Sequence, residues 1–389
     1  MDADNLILFG SSTRAAAFSA LRAGLRPWCA DLFADADLQA RCPAMRLPGA
    51  YPHGFLDWIG ADIPGPWMYT GGLENRPWLV ERLARRRPLW GNDCPVLLQA
   101  RDPAVVAAAV RAAGLPAPAV YPLLRRPPPG RWLVKPQWGL GRPIHGWTAA
   151  DAVARPSLLY YVQEFIEGES EAAIFCGDGK RAVLLGLTRQ LVGLDWLHAA
   201  PFRYCGSIGP LRLDSARRRR LETLGDALAR RCRLRGLFGV DGIVRDGAFL
   251  PVEVNPRYTA SVEVLEYGCE FSALAWHRAA FVSTAPRPAP PTLTLLHPRG
   301  EGREGGACIG KAVLFAKKTL TFPPDGPWNA VLQSPSPAGP PSFADIPHLG
   351  TVIKMGRPIL SFFASGENAD ACLDALRRIA AELDRLLFP

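Results

Sequence analysis

The sequence predicts an α+β protein in three parts. These are an N-terminal parallel βαβ unit of Rossmann-like kind, a central α+β segment with a long β-hairpin, and a small β-rich C-terminal part closed by a helix. Three observations predict this. Residues 5–31 read strand, turn, helix, strand; residues 239–257 hold two apolar runs around Asp246-Gly247; and a proline-rich stretch from Pro286 to Pro291 precedes the C-terminal strand patterns.

In chain order, Asn5 to Phe9 is a short buried-strand pattern followed by Gly10-Ser-Ser-Thr13. Ser12 or Thr13 can cap a helix bearing Ala16, Phe18 and Leu21, which Gly24 closes before a second strand from Arg26 to Asp31. The first turn has one glycine where a dinucleotide fingerprint needs three, so the unit is read as scaffold. Helices are expected over 77–86 and 103–113, the second stopped by Gly114 and Pro116. Arg125 to Gly130 reads as a linker or surface turn, and 323–341 as a proline-rich loop. Strands are expected at 312–315, 351–354 and 359–364, then a helix with Cys372, Leu376, Ile379, Leu383 and Leu386 along one stripe.

Composition narrows the class. Of 389 residues, 48% are hydrophobic and 21% charged, enough apolar material for two or three globular domains and too much for a disordered chain. No run approaches the roughly 18 apolar residues of a membrane helix. The acidic start, Met1 to Asp4, and the short apolar run after it carry no secretory pattern. Nine cysteines without a C-x-x-C pair suggest free thiols and a cytoplasmic protein. Net charge is +9, and only 6 of the 45 basic residues are lysines. The basic run Arg217–Arg220 precedes Leu221, Leu224, Leu228 and Cys232 at helical spacing, so it is read as a solvated helix face, without nucleic acid or membrane as partner.

The chemistry concentrates in the hairpin. A three-residue loop at Asp246, Gly247 and Ala248 would pair Arg245 with Phe249 and set Asp241 opposite Glu253, with Asn255 on the same face. Opposed side chains lie roughly 4.5–5.5 Å apart at Cβ, and two carboxylates there need a proton or a cation to coexist. Two carboxylates and an amide offer hard oxygen ligands suited to Mg²⁺ or Mn²⁺. A two-residue loop would send Glu253 to the other face.

Two further stretches stand upstream. Trp132 to Lys135 reads as a strand delivering a lysine, followed by a loop whose Gly139, Gly141 and Gly146 can bring backbone N–H groups close to phosphates. Tyr160 to Ile166 is an apolar strand ending in acids and Gly168, able to offer backbone groups to a base and carboxylates to a ribose. It reads equally well as an edge strand running into a polar turn.

Lys135-Pro136 with its glycine loop, Gln163 to Gly168, and Asp241 with Glu253, Asn255 and Arg257 together resemble the ATP-grasp superfamily in order and spacing over roughly residues 100–285. The resemblance implies an α+β ATP-grasp fold holding ATP between two lobes at 101–285, after a pre-ATP-grasp α/β domain at 1–100 and before a small β-rich domain at 292–389. It implies that Lys135 contacts phosphates under a loop running from Trp138 to Gly146. Glu164, Phe165 and the backbone of Ile166 would receive adenine, and Glu171, or else Glu167, the ribose. Asp241, Glu253 and Asn255 would hold Mg²⁺ or Mn²⁺, and Arg257 would face the reacting carboxylate or phosphate. Arg101 stands where many members carry a second phosphate-binding lysine, and Arg142-Pro143 where many have consecutive glycines. The expected activity is ADP-forming ligation of a small carboxylate to an amine through an acyl phosphate, as in carboxylate–amine ligases of the tyramine–glutamate type. The alternatives are a carboxylase-like enzyme acting on bicarbonate or a purine precursor, and a nucleotide sensor without turnover. Glu263, Glu266 and His277 are candidates for the base, Glu263 first. The oligomeric state is not fixed by these features.

Overall fold

A computed structural model describes residues 4–47, 51–58, 63–123, 125–139, 144–148, 151, 160–285, 288–289 and 307–389. The first sheet is parallel, built from β1 (Asn5–Phe9), β2 (Arg26–Asp31), β3 (Ala44–Arg46) and β4 (Trp67–Tyr69) in the order β3-β2-β1-β4. Helix α1 (Arg14–Arg22) follows β1 as the periodicity requires. Its cap differs from expectation: the Thr13 side chain makes no capping bond and instead donates to Asp31, at the end of β2, at 2.8 Å. Two short helices, α2 (Ala36–Gln39) and α3 (Phe55–Trp58), precede β4. After β4 come α4 (Pro77–Ala84), α5 (Cys94–Ala100) and α6 (Pro103–Ala112). The sequence did not announce α5; the Asp93 carboxylate caps it by accepting from the Val96 amide.

A small sheet of β5 (Val120–Pro122), β6 (Trp132–Pro136), β7 (His145–Gly146) and β8 (Tyr160–Glu164) has the order β5-β8-β6-β7. It sits beside a larger sheet built first from β9 (Glu169–Asp178), β10 (Ala182–Val192) and β11 (Tyr204–Gly209). Helix α7 (Ser215–Cys232) then leads into the hairpin of β12 (Arg235–Arg245) and β13 (Ala248–Asn255). Two helices follow, α8 (Ala260–Cys269) and α9 (Ala273–Phe281). The remaining elements are β14 (Cys308–Phe315), β15 (Leu320–Thr321), α10 (Asn329–Gln333), β16 (Phe343–Ala344), β17 (Val352–Ile353), β18 (Pro358–Gly366) and α11 (Ala369–Leu387). Three of these strands continue the large sheet, whose order is β13-β12-β9-β10-β11-β14-β18-β16. Two residues of the expected Pro286–Pro291 boundary, 288 and 289, fall within the described residues. The expected 323–341 loop contains α10, and Trp328 just before it is 1% exposed against Phe322 and Phe343. Proline content had hidden a buried aromatic anchor.

The large sheet is covered on both faces. One face packs Ala172, Ile174, Leu185 and Leu237 against α1, α8 and α9; the other packs Ala173, Phe175, Leu184 and Phe238 against α6 and α7. As expected, Leu221, Leu224, Leu228 and Cys232 of α7 are buried and Arg219 and Arg220 are exposed, but Arg217 and Arg218 of the same run are half-buried. Among the described residues, no helix is long and apolar enough to cross a membrane.

A buried ionic cluster joins the three parts of the chain. Arg14 on α1 and Glu263 on α8, both 0% exposed, meet at 2.7 Å. Lys311 on β14 donates to the same carboxylate at 2.8 Å and lies 3.2 Å from Asp345, which also accepts from Ser361. Burial alone would raise the Glu263 carboxyl, but Arg14 and Lys311 hold it below the usual range. Removing one member of such a cluster strands the others without water. Glu263→Ala should therefore lower unfolding stability by about 3–5 kcal/mol in urea titration, and a loss under about 1 kcal/mol would contradict the assigned burial.

Candidate active site

The β12–β13 hairpin sets the site. Its turn has two residues, Asp246 and Gly247, with φ of +52° and +73°, so the three-residue loop expected from sequence is corrected. Positive φ at both positions is the type I′ turn that matches strand twist. Pairing runs from Arg245↔Ala248 to Gly242↔Pro251; the register then shifts, and beyond it Asp241 faces Glu253 and Gly239 faces Asn255. Val252 is the extra residue of a bulge next to Pro251, which has no N–H to give the ladder. The bulge returns the residue that the shorter turn removed. The expected Asp241–Glu253 pairing thus holds, for a different reason. A Cβ at Gly242 would lie 2.3–2.7 Å from the Phe249 ring and would have to displace it.

Asp241 accepts from Gln190 Nε2 and from Asn255 Nδ2, each at 2.9 Å. Glu253 accepts from Arg101 Nη1 at 2.5 Å, and Arg101 is itself buried, with further bonds to the Val254 carbonyl (3.1 Å) and Asn75 Oδ1 (3.2 Å). Burial and the Glu253 charge push the Asp241 carboxyl up to about 7. Burial would push Glu253 up too, but Arg101 and Lys135 bring it below the ordinary range. Both behave as carboxylates crowded together and supplied with cations.

The bulge also reaches the small sheet. Lys135 on β6, 7% exposed, donates to the Val252 carbonyl at 3.1 Å and to Gln163 Oε1 at 3.0 Å. Between β6, β8 and β13 lies a cavity of about 220 Å³ whose lining includes Arg101, Lys135, Gly139, Tyr161, Gln163 and Glu253. Gly139 has φ +47°, and a Cβ on it would come within 3.2 Å of the Asn75 amide. Gly141, with Arg142-Pro143, lies outside the described residues. Arg257, at the end of β13, donates from Nε to Glu74 at 2.8 Å and from Nη2 to Asn255 Oδ1 at 3.2 Å.

Asp241, Glu253, Asn255, Lys135, Arg101 and Gly139 are therefore linked through shared partners or the cavity wall, and Arg257 joins them through its bond to Asn255. Glu164 ends β8 with its carboxylate accepting from the Ala119 amide at 3.0 Å; Phe165 lies under the Arg131 guanidinium, and Ile166 is buried. The segment then runs against the hairpin, since a Cβ on Gly168 would meet the Val244 carbonyl.

Two expectations are corrected. Glu171 does not face this site: Ala172 pairs with Asp241, so its neighbour Glu171 points to the opposite face, where it bonds Arg217 of α7. Glu167 is exposed and pairs with Arg131 at 3.1 Å. Glu263 lies wholly inside the buried ionic cluster, where Arg14 and Lys311 hold its carboxyl below the usual range and make it a poor base. Glu266 accepts from Ser19 (2.6 Å) and the Ala273 amide (2.8 Å). His277 is buried between the Leu237 amide and the Trp90 carbonyl, and burial pushes its imidazole down to about 4. Sequence reasoning missed Gln190, which carries no motif, and Glu74 and Asn75, which follow a Gly-Gly turn but give no hint of what they face.

Two carboxylates and an amide fit a hard divalent cation, since each carboxylate keeps lone pairs beyond its protein bonds. Among the described residues there is no group of three or more His, Cys, Asp or Glu that could hold a metal.

Comparison with known proteins bears on the fold. Residues 101–261 match the family model of an ATP-grasp domain. No curated protein matches the chain. Among solved structures it resembles the L-amino acid ligase from Bacillus licheniformis (TM-score 0.67, 16% identity, 98% of each chain). It also resembles N5-carboxyaminoimidazole ribonucleotide synthetase from Thermus thermophilus (0.67, 16%, 99% of each chain). A third is the biotin carboxylase domain of 2-oxoglutarate carboxylase from Hydrogenobacter thermophilus, in complex with MgADP, ADP and bicarbonate (0.69, 14%, 98% of this chain and 90% of that one). The fold is that of ATP-grasp enzymes.

The raised Asp241 pKa has a defined sign. A carboxyl raised on folding adds stability that is complete below its ordinary pKa and is lost as pH rises through about 7. Asp241→Asn should remove that part of the pH dependence, seen as a flatter curve of melting temperature between pH 4 and pH 8. An unchanged slope would show that Asp241 titrates normally.

Proposed function

We propose that this chain, built around an ATP-grasp domain, is an ADP-forming ligase that uses ATP and Mg²⁺ to activate a small carboxylate as an acyl phosphate for attack by an amine. The observation that carries this is the arrangement of charge about the Asp241–Glu253 pair, beside a cavity lined by Glu253, Lys135 and Arg101. Asp241, Glu253 and Asn255 present oxygen donors, and Lys135 and Arg101 supply buried positive charge beside them. The likeness to an amino acid ligase over nearly the whole of both chains supports the amine as acceptor.

In this reading Asp241, Glu253 and Asn255 hold the metal, which when bound neutralises phosphate charge and orients the phosphoryl group. Lys135 and Arg101 bind phosphate oxygens, and Gly139 lets the backbone approach them. Glu164, Phe165 and the Ile166 backbone form the adenine side. Arg257, an obligate cation held by hydrogen bonds on Nε and Nη2, stabilises the oxyanion that develops as the nucleophile adds. No acid of α8 is assigned as base, because Glu263 and Glu266 are buried and ion-paired away from the cavity.

A second reading, carboxylation with bicarbonate, is favoured by one observation. The synthetase and the bicarbonate-bound carboxylase domain match this chain along almost its full length, C-terminal strands included. Both readings share the nucleotide site and differ in the acceptor.

Purified protein with Mg-ATP should release ADP in the presence of one carboxylate and one amine from a metabolite screen; release that depends on bicarbonate instead would select the second reading. Glu253→Gln should lose Mg²⁺-dependent turnover by about 100-fold or more while unfolding cooperatively, and a variant at full rate would exclude the metal assignment. Lys135→Ala should weaken ATP binding about tenfold, the effect of roughly one charge-assisted contact, as measured by calorimetry.

A further inference from the structure

The turn leaving β4 contributes to the candidate site from another part of the chain. In the parallel sheet, β1 leads to β2 and β3 on one side while β4 lies on the other, so the strand order reverses between β1 and β4. In open α/β sheets ligands lie beyond the carboxyl ends of strands at such a reversal. The two loops there are joined, with the Ser11 amide donating to the Gly71 carbonyl at 2.9 Å. From this edge one turn projects Glu74 and Asn75 in succession.

Glu74 is 3% exposed, and its two oxygens have separate partners. Oε2 accepts from the Gly72 amide of its own turn at 2.6 Å, which fixes the carboxylate. Oε1 accepts from Arg257 Nε at 2.8 Å. Arg257 is a long side chain with many rotamers, and a fixed carboxylate on Nε with Asn255 on Nη2 leaves it one orientation. Asn75 accepts from Arg101 Nη2 and lies beside Gly139, which lines the cavity. Two adjacent residues thus hold the two arginines on either side of Glu253 and Asn255. A contact serving only to bind one domain to another would have no reason to select these two cations.

We propose that Glu74 and Asn75 are positioning residues: Glu74 orients Arg257 toward the transferring group, and Asn75 holds Arg101 and Gly139 in the nucleotide-binding arrangement. This rests on the nucleotide reading given above.

The test uses the full chain and calorimetry with Mg·ADP, alone and with aluminium fluoride as a mimic of the transferring phosphoryl group. The wild type should bind Mg·ADP and bind it more tightly with aluminium fluoride. Asn75→Ala should weaken both complexes about five- to tenfold, as expected for losing one hydrogen bond to a charged group. Glu74→Gln should lose most of the tightening caused by aluminium fluoride, and Glu74→Asp, which keeps the charge, should recover part of it. Arg257→Gln should lose the tightening as well, and the double variant with Glu74→Gln should be no worse than Arg257→Gln alone, because both act through one group. Variants that keep the wild-type ratio overturn the proposal. So do losses at Glu74 and Arg257 that add independently, or losses that merely follow a lowered melting temperature. A wild type that binds no Mg·ADP overturns the nucleotide reading first and this inference with it.

Discussion

Two carboxylates facing each other across a β-ladder repel, and the candidate site is organised around holding Asp241 and Glu253 in that position. Arg101 pairs with Glu253, Lys135 stands on the bulge beside it, and Arg257 bonds the amide that bonds Asp241. None of these cations comes from the hairpin turn itself. They arrive from the C-terminal end of α5, from the small sheet and from just past the end of β13, so the acids tie three elements together. With the nucleotide reading in hand, the same cations become the phosphate-binding side and the acids the metal-binding side.

How far this was legible in the sequence depended on whether a feature was local. The hairpin carried its own evidence: Asp246-Gly247 and two apolar runs leave little else for that stretch to do. Its register was harder. Turn length and bulge make opposite errors of one residue, and Pro251 was the only hint that the ladder would break. Glu171 shows the limit of motif spacing. Near a strand end, alternation assigns a face only after the partner strand is known, and Ala172 rather than Glu171 proved to share the face of Asp241. Glu74, Asn75 and Gln190 were invisible for a plainer reason, since their importance lies wholly in partners distant in the chain.

The acids of α8 show how burial decides a role. Glu263 and Glu266 follow Arg257 closely and have the chemistry of a base, yet both are consumed by cations and amides between α1, α8 and β14. Their position close to the site reflects the packing of three parts of the chain against one another. A carboxylate flanked by two buried cations is poor at accepting a proton, and its worth is mechanical.

The continuity of the large sheet has a consequence for how the protein is made. Strand β11 ends at Gly209 and its outer neighbour, β14, begins at Cys308. As the chain leaves the ribosome, one side of β11 stays unpaired until about a hundred further residues have been synthesised. An open strand edge of that kind is a template for pairing with other chains. During translation the nascent protein therefore passes through a sticky interval, which ends only when its last quarter arrives to seal the seam.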